Sequence, residues 1–382
     1  MRFDFIVLGG TGQQGRICAR DLLEEGYSVL LCGRDSSSIK DLLKHKKSRF
    51  ARLDLQDYKE LVELIKKSGA SVVINCAELN YNVDIMRACL AAKKSCTDLG
   101  GLHDITKQQF KLEGDFKKQK IICITGCGST PGITNVMAAH AAHIYDSVDT
   151  IELGFAWDSN LKIFVVPYSI KSIFDEFTQD PVLFHNGKFL TSNQMTCQGT
   201  FTFREIGRQT CYCIVHSEVY TFAKYFTSNG LKHVHYYAGF PEHSLSKIKT
   251  LIELGFNSRE PINVKGVFVR PRDVTTSILK RIVPPKGYQE KENLWVRVSG
   301  KLGGKETKME MNCIVKTLKG WESAGSNVNT GRTISIISQM VKEGVIEQFG
   351  VYAPEAVVPH GAFFRELGKR KMYVYQDGKR IN

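Results

Sequence analysis

Up to about Ser147 the chain alternates two hydrophobic patterns. Short, nearly continuous apolar runs occur at Phe3–Leu8, Ser28–Cys32, Phe50–Leu55, Ser71–Ala77, Ser95–Leu99 and Ile121–Thr125, as in strands buried on both faces. Between them, Arg16–Glu25, Ile39–Leu43, Tyr58–Ser68 and Asp84–Lys93 carry apolar residues at helical spacing, such as Ile17, Leu22 and Leu23. Gly26 follows the first of these, where a helix is commonly closed by a residue lacking Cβ. Strands alternating with helices predict an α/β fold with a doubly wound parallel sheet.

Beyond Ser147 the texture changes. Residues 150–165, Thr200–Arg204, Thr210–Val215, His233–Tyr237, Leu294–Gly300 and Met309–Thr317 read as strands, interrupted by helices near Ile170–Thr178 and Ser246–Leu254. This predicts an α+β second domain with a mostly antiparallel sheet. Gly331–Lys342 is helical again, with Ile334, Ile337 and Met340 on one face. There is no low-complexity stretch and no internal repeat.

Between the first run and the first helix stands Gly10-Thr11-Gly12-Gln13-Gln14-Gly15. A Gly-x-Gly-x-x-Gly loop in this strand–helix–strand context is a dinucleotide-binding, Rossmann signature. Gly10 serves the turn, Gly12 lets the backbone approach a pyrophosphate, and Gly15 allows close helix–strand packing. The pyrophosphate would meet the free N–H groups of a helix start. The second strand ends in Cys32-Gly33-Arg34-Asp35-Ser36. Arg34 can face a 2′-phosphate, with Ser36 as a further donor, which favours NADP, while Asp35 keeps NAD open. Asp54, after the third strand, would border the adenine. Cys76 and Ala77, after the fourth, lie at the carboxyl edge where such sheets bind ligands.

Composition narrows the classes. With 42% hydrophobic and 24% charged residues, the chain reads as globular, and no apolar run approaches a membrane span. The N-terminal pattern contains no secretion signal, so a cytoplasmic location is expected. The eleven cysteines are odd in number, scattered and without a Cys-x-x-Cys pair, so free buried thiols are expected. The net charge of +13 suits a phosphorylated cofactor and carboxylated substrates. The basic residues form no long block and lack interleaved aromatics, so no nucleic-acid partner is expected. His233 and His235 share a strand face without a third ligand nearby, and no metal is expected.

The chain resembles the saccharopine dehydrogenase-like family, whose members include lysine 6-dehydrogenase and carboxynorspermidine dehydrogenase. The residues that carry the resemblance are Gly9 to Gly15, Thr97-Asp98-Leu99-Gly100-Gly101 and Ser129-Thr130-Pro131-Gly132-Ile133-Thr134-Asn135. Further on come Pro167-Tyr168-Ser169-Ile170, Asp175-Glu176-Phe177, His216-Ser217-Glu218, Val269 to Asp273, Thr330-Gly331 and Gly350 to Glu355. The resemblance implies an NAD(P)-dependent oxidoreductase acting on a C–N bond of an amino acid or amine. It also implies a homodimer built on the second domain and a C-terminal segment that returns to the first. The expected domains are residues 1–128 with about 327–382 packing back, and 129–326. Relatives often carry an Ala-x-Pro-like turn where this chain has Asn75-Cys76-Ala77-Glu78.

Amine oxidation or imine reduction needs a proton carrier and partners for substrate charges. Asp98 can hold or deprotonate an ammonium, or cap the turn at Gly100-Gly101. Glu78 is a second acid at the same edge, or a solvated loop charge. His216, following an apolar strand, is a candidate proton carrier or a structural imidazole. Tyr168, Arg204, Ser129 and Thr130 are candidate substrate contacts; the alternatives are a packed aromatic, a surface arginine and a helix start. A competing function is an NADP-binding redox sensor, or an inactive relative, that binds cofactor without turnover.

Overall fold

The six predicted apolar runs of the first half all become parallel strands: β1 (Phe5–Leu8), β2 (Val29–Gly33), β3 (Ser48–Arg52), β4 (Val72–Asn75), β5 (Ser95–Asp98) and β6 (Ile122–Ile124). The computed structural model describes residues 2–166, 168–193 and 197–382; Pro167 lies outside them. β1, between β4 and β2, is fully buried, which is why its sequence is apolar at every position rather than at alternate ones.

The second half supplies β7 (Ser147–Ser159), β8 (Val182–His185), β9 (Lys188–Thr191), β10 (Gln198–Phe203), β11 (Gly207–Cys213), β12 (His233–Gly239), β13 (Ile262–Val264), β14 (Val267–Val269), β15 (Glu290–Leu302) and β16 (Lys305–Lys316). The last strands are β17 (Gly350–Tyr352), β18 (Tyr373–Gln376) and β19 (Lys379–Arg380). Among the described residues, the first sheet runs β17-β6-β5-β4-β1-β2-β3 and the second β10-β11-β12-β7-β15-β16-β18-β19, with β8 on β12 and β9 on β8. Only the β12–β7 pairing in the second sheet is parallel; the rest are antiparallel. The C-terminal segment thus divides between the sheets: β17 extends the first and β18–β19 the second.

A continuous hydrophobic core joins the two. It passes from β1 and the helix Gln13–Glu24 through the helices Ile133–Ile144 and Val328–Lys342 to Leu153 and Phe155 of β7 and Leu294 and Val296 of β15. The helix Val328–Lys342 lies so close to Gln13–Glu24 that a Cβ on Gly331 would stand 2.5 Å from Ile17 Cβ. Buried Asp21 sits beneath this contact. It receives Arg370 Nε at 2.9 Å and the Ser335 hydroxyl at 2.8 Å, with Arg332 Nε at 3.2 Å. First helix, late helix and C-terminal segment are therefore tied at one carboxylate.

The expectation that all cysteines are free thiols is corrected at one place. The β10–β11 hairpin brings Cys197 beside Cys213, and the two form a disulfide with Cα atoms 5.4 Å apart. The pairing is invisible in the spacing because it depends on the hairpin register. The nine other cysteines are free.

Candidate active site at the domain junction

The glycine loop is built for close approach. Gly12 caps the helix Gln13–Glu24 in extended conformation, contributes no side chain to its first-turn N–H groups, and no acid occupies that turn. The helix start is therefore left for an external anion. A Cβ on Gly15 would stand 2.3 Å from Gly9 O, so any larger residue would force the helix off the loop. Cys76 and Ala77 press on the loop from β4: a Cβ at Gly9, where φ is +70°, would meet Ala77 N at 2.8 Å. Thr11 O accepts the Ser38 hydroxyl at 2.8 Å, and the Gln14 amide donates to Asn327 Oδ1 at 2.7 Å. Gln13 is exposed.

Past the end of β2, Arg34 is exposed and Ser36 half-buried. Asp35 is turned back on its own loop, where its carboxylate accepts the Ser37 hydroxyl and, at 2.8 Å, the Ser37 N–H. These bonds hold it below the usual carboxylate range. Asp54 is exposed and accepts the Gln56 N–H at 3.0 Å. A dinucleotide fits this frame. Gly10 to Gly15 would take its pyrophosphate, and Arg34 and Ser36 stand at the strand end where a ribose 2′-substituent is read.

The two sequence-proposed acids are differently placed. Asp98 is buried, and both its oxygens are engaged. One accepts the Gly100 N–H at 2.7 Å and the Thr125 hydroxyl at 2.9 Å; the other accepts the Gln109 amide at 2.7 Å. Burial pushes its carboxyl up to about 6 against these bonds. This is the turn-capping arrangement. Glu78 is exposed on the junction's rim, 3.9 Å from Lys171 of the helix Ile170–Thr178.

His216 is in a different setting. It follows β11 and precedes the helix Glu218–Phe226, with its ring stacked on Tyr236 of β12 at 3.8 Å between centroids and 5° between planes. Its Nδ1 is hydrogen-bonded to Glu218 Oε2. The other Glu218 oxygen accepts the Thr130 hydroxyl at 2.7 Å, and the Tyr236 hydroxyl lies 3.0 Å from Thr130 Oγ1. Burial alone would depress the imidazole, but Glu218, with Glu176 beyond it, overcomes this and holds it above its ordinary value. Thr130 thus joins the His216–Glu218 pair of the second domain to the turn after β6. Ser129 in that turn meets the Thr330 hydroxyl at 3.0 Å. Asn135 at its far side donates to buried Glu355 at 2.7 Å, joining two of the sequence blocks.

Two more carboxylates face this place. Tyr168 donates to Glu176, which is buried. Glu292, on the inward face of β15, accepts the amide of Asn329 beside Thr330; burial, then the charge of Glu290, pushes it up to about 8. Both carboxylates act electrostatically on Tyr168 and Tyr236, so the cluster is one site. Its composition was only partly legible. Glu176 and Glu218 stood within recognised blocks without an assigned role, and Tyr236 and Glu292 were missed. One signal was available: Glu290 and Glu292 occupy the strand parity that Leu294, Val296 and Val298 bury.

Arg204 is the exception among the substrate candidates. It lies on the outer face of the second sheet, where its guanidinium stacks on Tyr375 at 4.2 Å and donates to Gly378 O at 3.2 Å. Asn293, one residue from Glu292 and so on the opposite strand face, donates to Arg204 O. The structure does not bring Arg204 to the junction, because the β10–β11 hairpin carries it over the far side. His233 Nδ1 lies 3.1 Å from His185 Nδ1, yet among the described residues no three His, Cys, Asp or Glu are grouped to hold a metal ion.

Residues 5–124 match the model of the saccharopine dehydrogenase NADP-binding domain, and residues 128–372 that of the saccharopine dehydrogenase C-terminal domain. The chain belongs to the saccharopine dehydrogenase family. It is a dehydrogenase-family chain whose first domain is an NADP-binding domain; the resemblance implied NAD(P), and the strand end at Arg34 favoured NADP. It is 22% identical to carboxyaminopropylagmatine dehydrogenase of Synechocystis over 95% of each chain. Its fold is that of the glutamate-forming saccharopine dehydrogenase of Saccharomyces cerevisiae (TM-score 0.76, 14% identity, all of both chains). It is also that of a homospermidine synthase of Legionella pneumophila solved with NAD (TM-score 0.72, 11% identity, 98% of this chain and 91% of the other). No helix among the described residues is long and apolar enough to cross a membrane.

Proposed function

We propose that this member of the family is an NADP-dependent oxidoreductase that reduces an imine to a secondary amine, or runs the reverse oxidation, on an amine or amino-acid substrate. The observation that carries the reading is the His216–Glu218 pair, seated on Tyr236 and joined through Thr130 to the turn after β6. NADPH, when bound, supplies a hydride to the substrate carbon. The protein's own part is the proton. With Nδ1 engaged by Glu218, Nε2 is the nitrogen of His216 left to pass a proton to the substrate nitrogen in reduction, or to accept one in oxidation. A raised imidazole favours the acid role near neutral pH. Glu176 and Glu292 would face an ammonium or guanidinium elsewhere on the substrate. A cationic substrate accords with the names of the cyanobacterial and Legionella relatives.

In this reading Asp98 organises the turn, Glu78 tunes the rim, and Tyr168, Ser129 and Thr130 shape the substrate side. Arg34 and Ser36 select NADP. The nine free thiols support a cytoplasmic setting, and the working form is a homodimer. The test offers NADPH or NADH with amine–aldehyde pairs, and NADP⁺ or NAD⁺ with lysine, saccharopine and polyamine derivatives, following reduced nicotinamide by absorbance. NADP-preferring turnover on a cationic substrate is expected. Tight NADPH binding with no turnover in either direction would refute the reading in favour of a sensor.

A further inference from the structure

The helix Ile133–Ile144 starts at the Thr130 turn, and toward its other end it borders a cavity of about 410 Å³ outside the site described above. His140 of this helix forms one wall. His360, Gly361 and Arg365 of the helix His360–Lys369 form another, and Gln376 of β18 a third. The volume lies in the range of small-molecule sites, and no lining residue is acidic.

The two imidazoles face each other. His140 Nδ1 lies 3.2 Å from His360 Nδ1, and His140 Nε2 lies 3.1 Å from Gln376 Oε1. An amide oxygen can only accept, so His140 Nε2 carries the proton and Nδ1 of the neutral ring is an acceptor. His360 Nδ1 donates to it, which leaves His360 Nε2 with an unused lone pair. Burial, then the charges of His140 and His143, hold His360 below its ordinary value. It is therefore neutral near pH 7 and able to take up a proton when a negative charge arrives beside it.

Arg365 is the permanent charge. A Cβ on Gly361 would stand 3.8 Å from Arg365 Nη1, so the guanidinium folds back over the start of its own helix. Among the described residues Arg365 forms no ion pair; the adjacent carboxylate, Glu366, is held by Lys369 and Arg370. The first bond of the helix runs from the Phe363 N–H to Pro359 O at 3.0 Å. The three N–H groups before it have no acceptor within the helix, and no acid occupies that turn. Imidazole, guanidinium and helix start together favour an anion. A metal ion does not suit the place: among the described residues no three His, Cys, Asp or Glu are grouped to hold one, and the guanidinium would repel it.

We propose that this cavity is a second ligand site, which takes the phosphate monoester group of a small organic molecule. Two negative charges match Arg365 and a protonated His360, and three terminal oxygens can meet the guanidinium fork, the imidazole and the helix N–H groups at once. A carboxylate has too few oxygens for all three. The cavity is larger than a phosphate group alone needs, and Phe364 and Ile381 offer an apolar wall for the organic body.

Isothermal titration calorimetry tests this on the full chain saturated with NADP⁺, so that the glycine loop is already filled. The probes are phenyl phosphate, inorganic phosphate and benzoate. Phenyl phosphate should bind saturably and more tightly than either of the others. Arg365→Ala should weaken it by about 10–100-fold, the worth of a charge-assisted bond. Lys188→Ala, which removes an exposed charge on β9, should leave it unchanged, and circular dichroism checks that both variants fold. A second readout needs no weakened variant. In nuclear magnetic resonance titration, bound phenyl phosphate should raise the midpoint of the His360 ring proton, assigned by its loss in His360→Gln. Absence of saturable binding, undiminished binding in folded Arg365→Ala, or an unmoved His360 midpoint at saturation overturns the proposal. Benzoate bound as tightly as phenyl phosphate overturns the choice of phosphate, and inorganic phosphate bound as tightly overturns the organic body.

Discussion

The most informative perturbation of the site is Glu218→Gln. The substitution keeps the shape of a side chain that is 0% exposed and removes the charge paired with His216. The imidazole is held up by Glu218 against burial. The charge of Glu218 raises the imidazole, so its loss should lower the His216 midpoint, each pH unit of fall corresponding to about 1.4 kcal/mol of lost pairing. Burial then dominates, and His216 should fall below its ordinary value. Two measurements read this. Nuclear magnetic resonance titration of the His216 ring proton gives the midpoint without turnover. The pH profile of imine reduction gives the same group in action, its high-pH limb moving to lower pH by a matching amount. The sign in stability is also set. A raised folded-state pKa contributes stability present below the unfolded value and lost as pH rises through the folded one, so the variant should lose most stability, relative to wild type, on the acid side. An unchanged His216 midpoint in a folded variant would refute the pairing as the source of the shift.

Arg34→Ala should weaken NADPH by about 10–100-fold, the worth of a charge-assisted bond, and leave NADH nearly unchanged; equal weakening by calorimetry removes the 2′-phosphate role. Glu292→Gln should raise KM for a cationic substrate more than it lowers kcat. It should also abolish the proton release expected when a carboxyl pushed up to about 8 ionises against a substrate cation, seen by calorimetry in buffers of different ionisation enthalpy. Arg370→Ala leaves Asp21 buried with Arg332 as its remaining ionic partner and should cost about 3–5 kcal/mol in urea unfolding; a loss below about 1 kcal/mol refutes a structural role for the clamp.

The parts legible in the sequence were those decided locally. The glycine loop and the interior strands β1, β2, β4, β5 and β6 declare themselves within a few residues each, because burial on both faces leaves little room for polar alternation; the edge strand β3, Ser-Arg-Phe-Ala-Arg and mostly not buried, begins two residues before its apolar run. The helix Gln13–Glu24 begins four residues before its apolar stripe does at Ile17, since Gly12 rather than a polar cap starts it. The short strands β13, β14, β17, β18 and β19 span two to four residues, too few to show a period, and pairing partners alone define them. The same holds for the candidate active site. His216 could be suspected from its own neighbours, but Tyr236 reaches it only because β12 lies beside both β11 and β7. Glu292 reaches it only through the long β15 hairpin. Arg204 misled for the mirror reason: its hairpin folds to the far face, which no local pattern records.

The clamp at Asp21 has a consequence for how the chain is made. Asp21 and Arg370 are 349 residues apart. At about 5–20 residues per second, the ribosome delivers the second roughly 20–70 s after the first. The edge strand β17 and the helix that packs on Gln13–Glu24 arrive equally late. The nucleotide-binding half is therefore the first to be synthesised and among the last to be finished. Through that interval its buried acid and the apolar flank around Ile17 need shelter, so a chaperone that holds nascent chains should find its longest-lived target there.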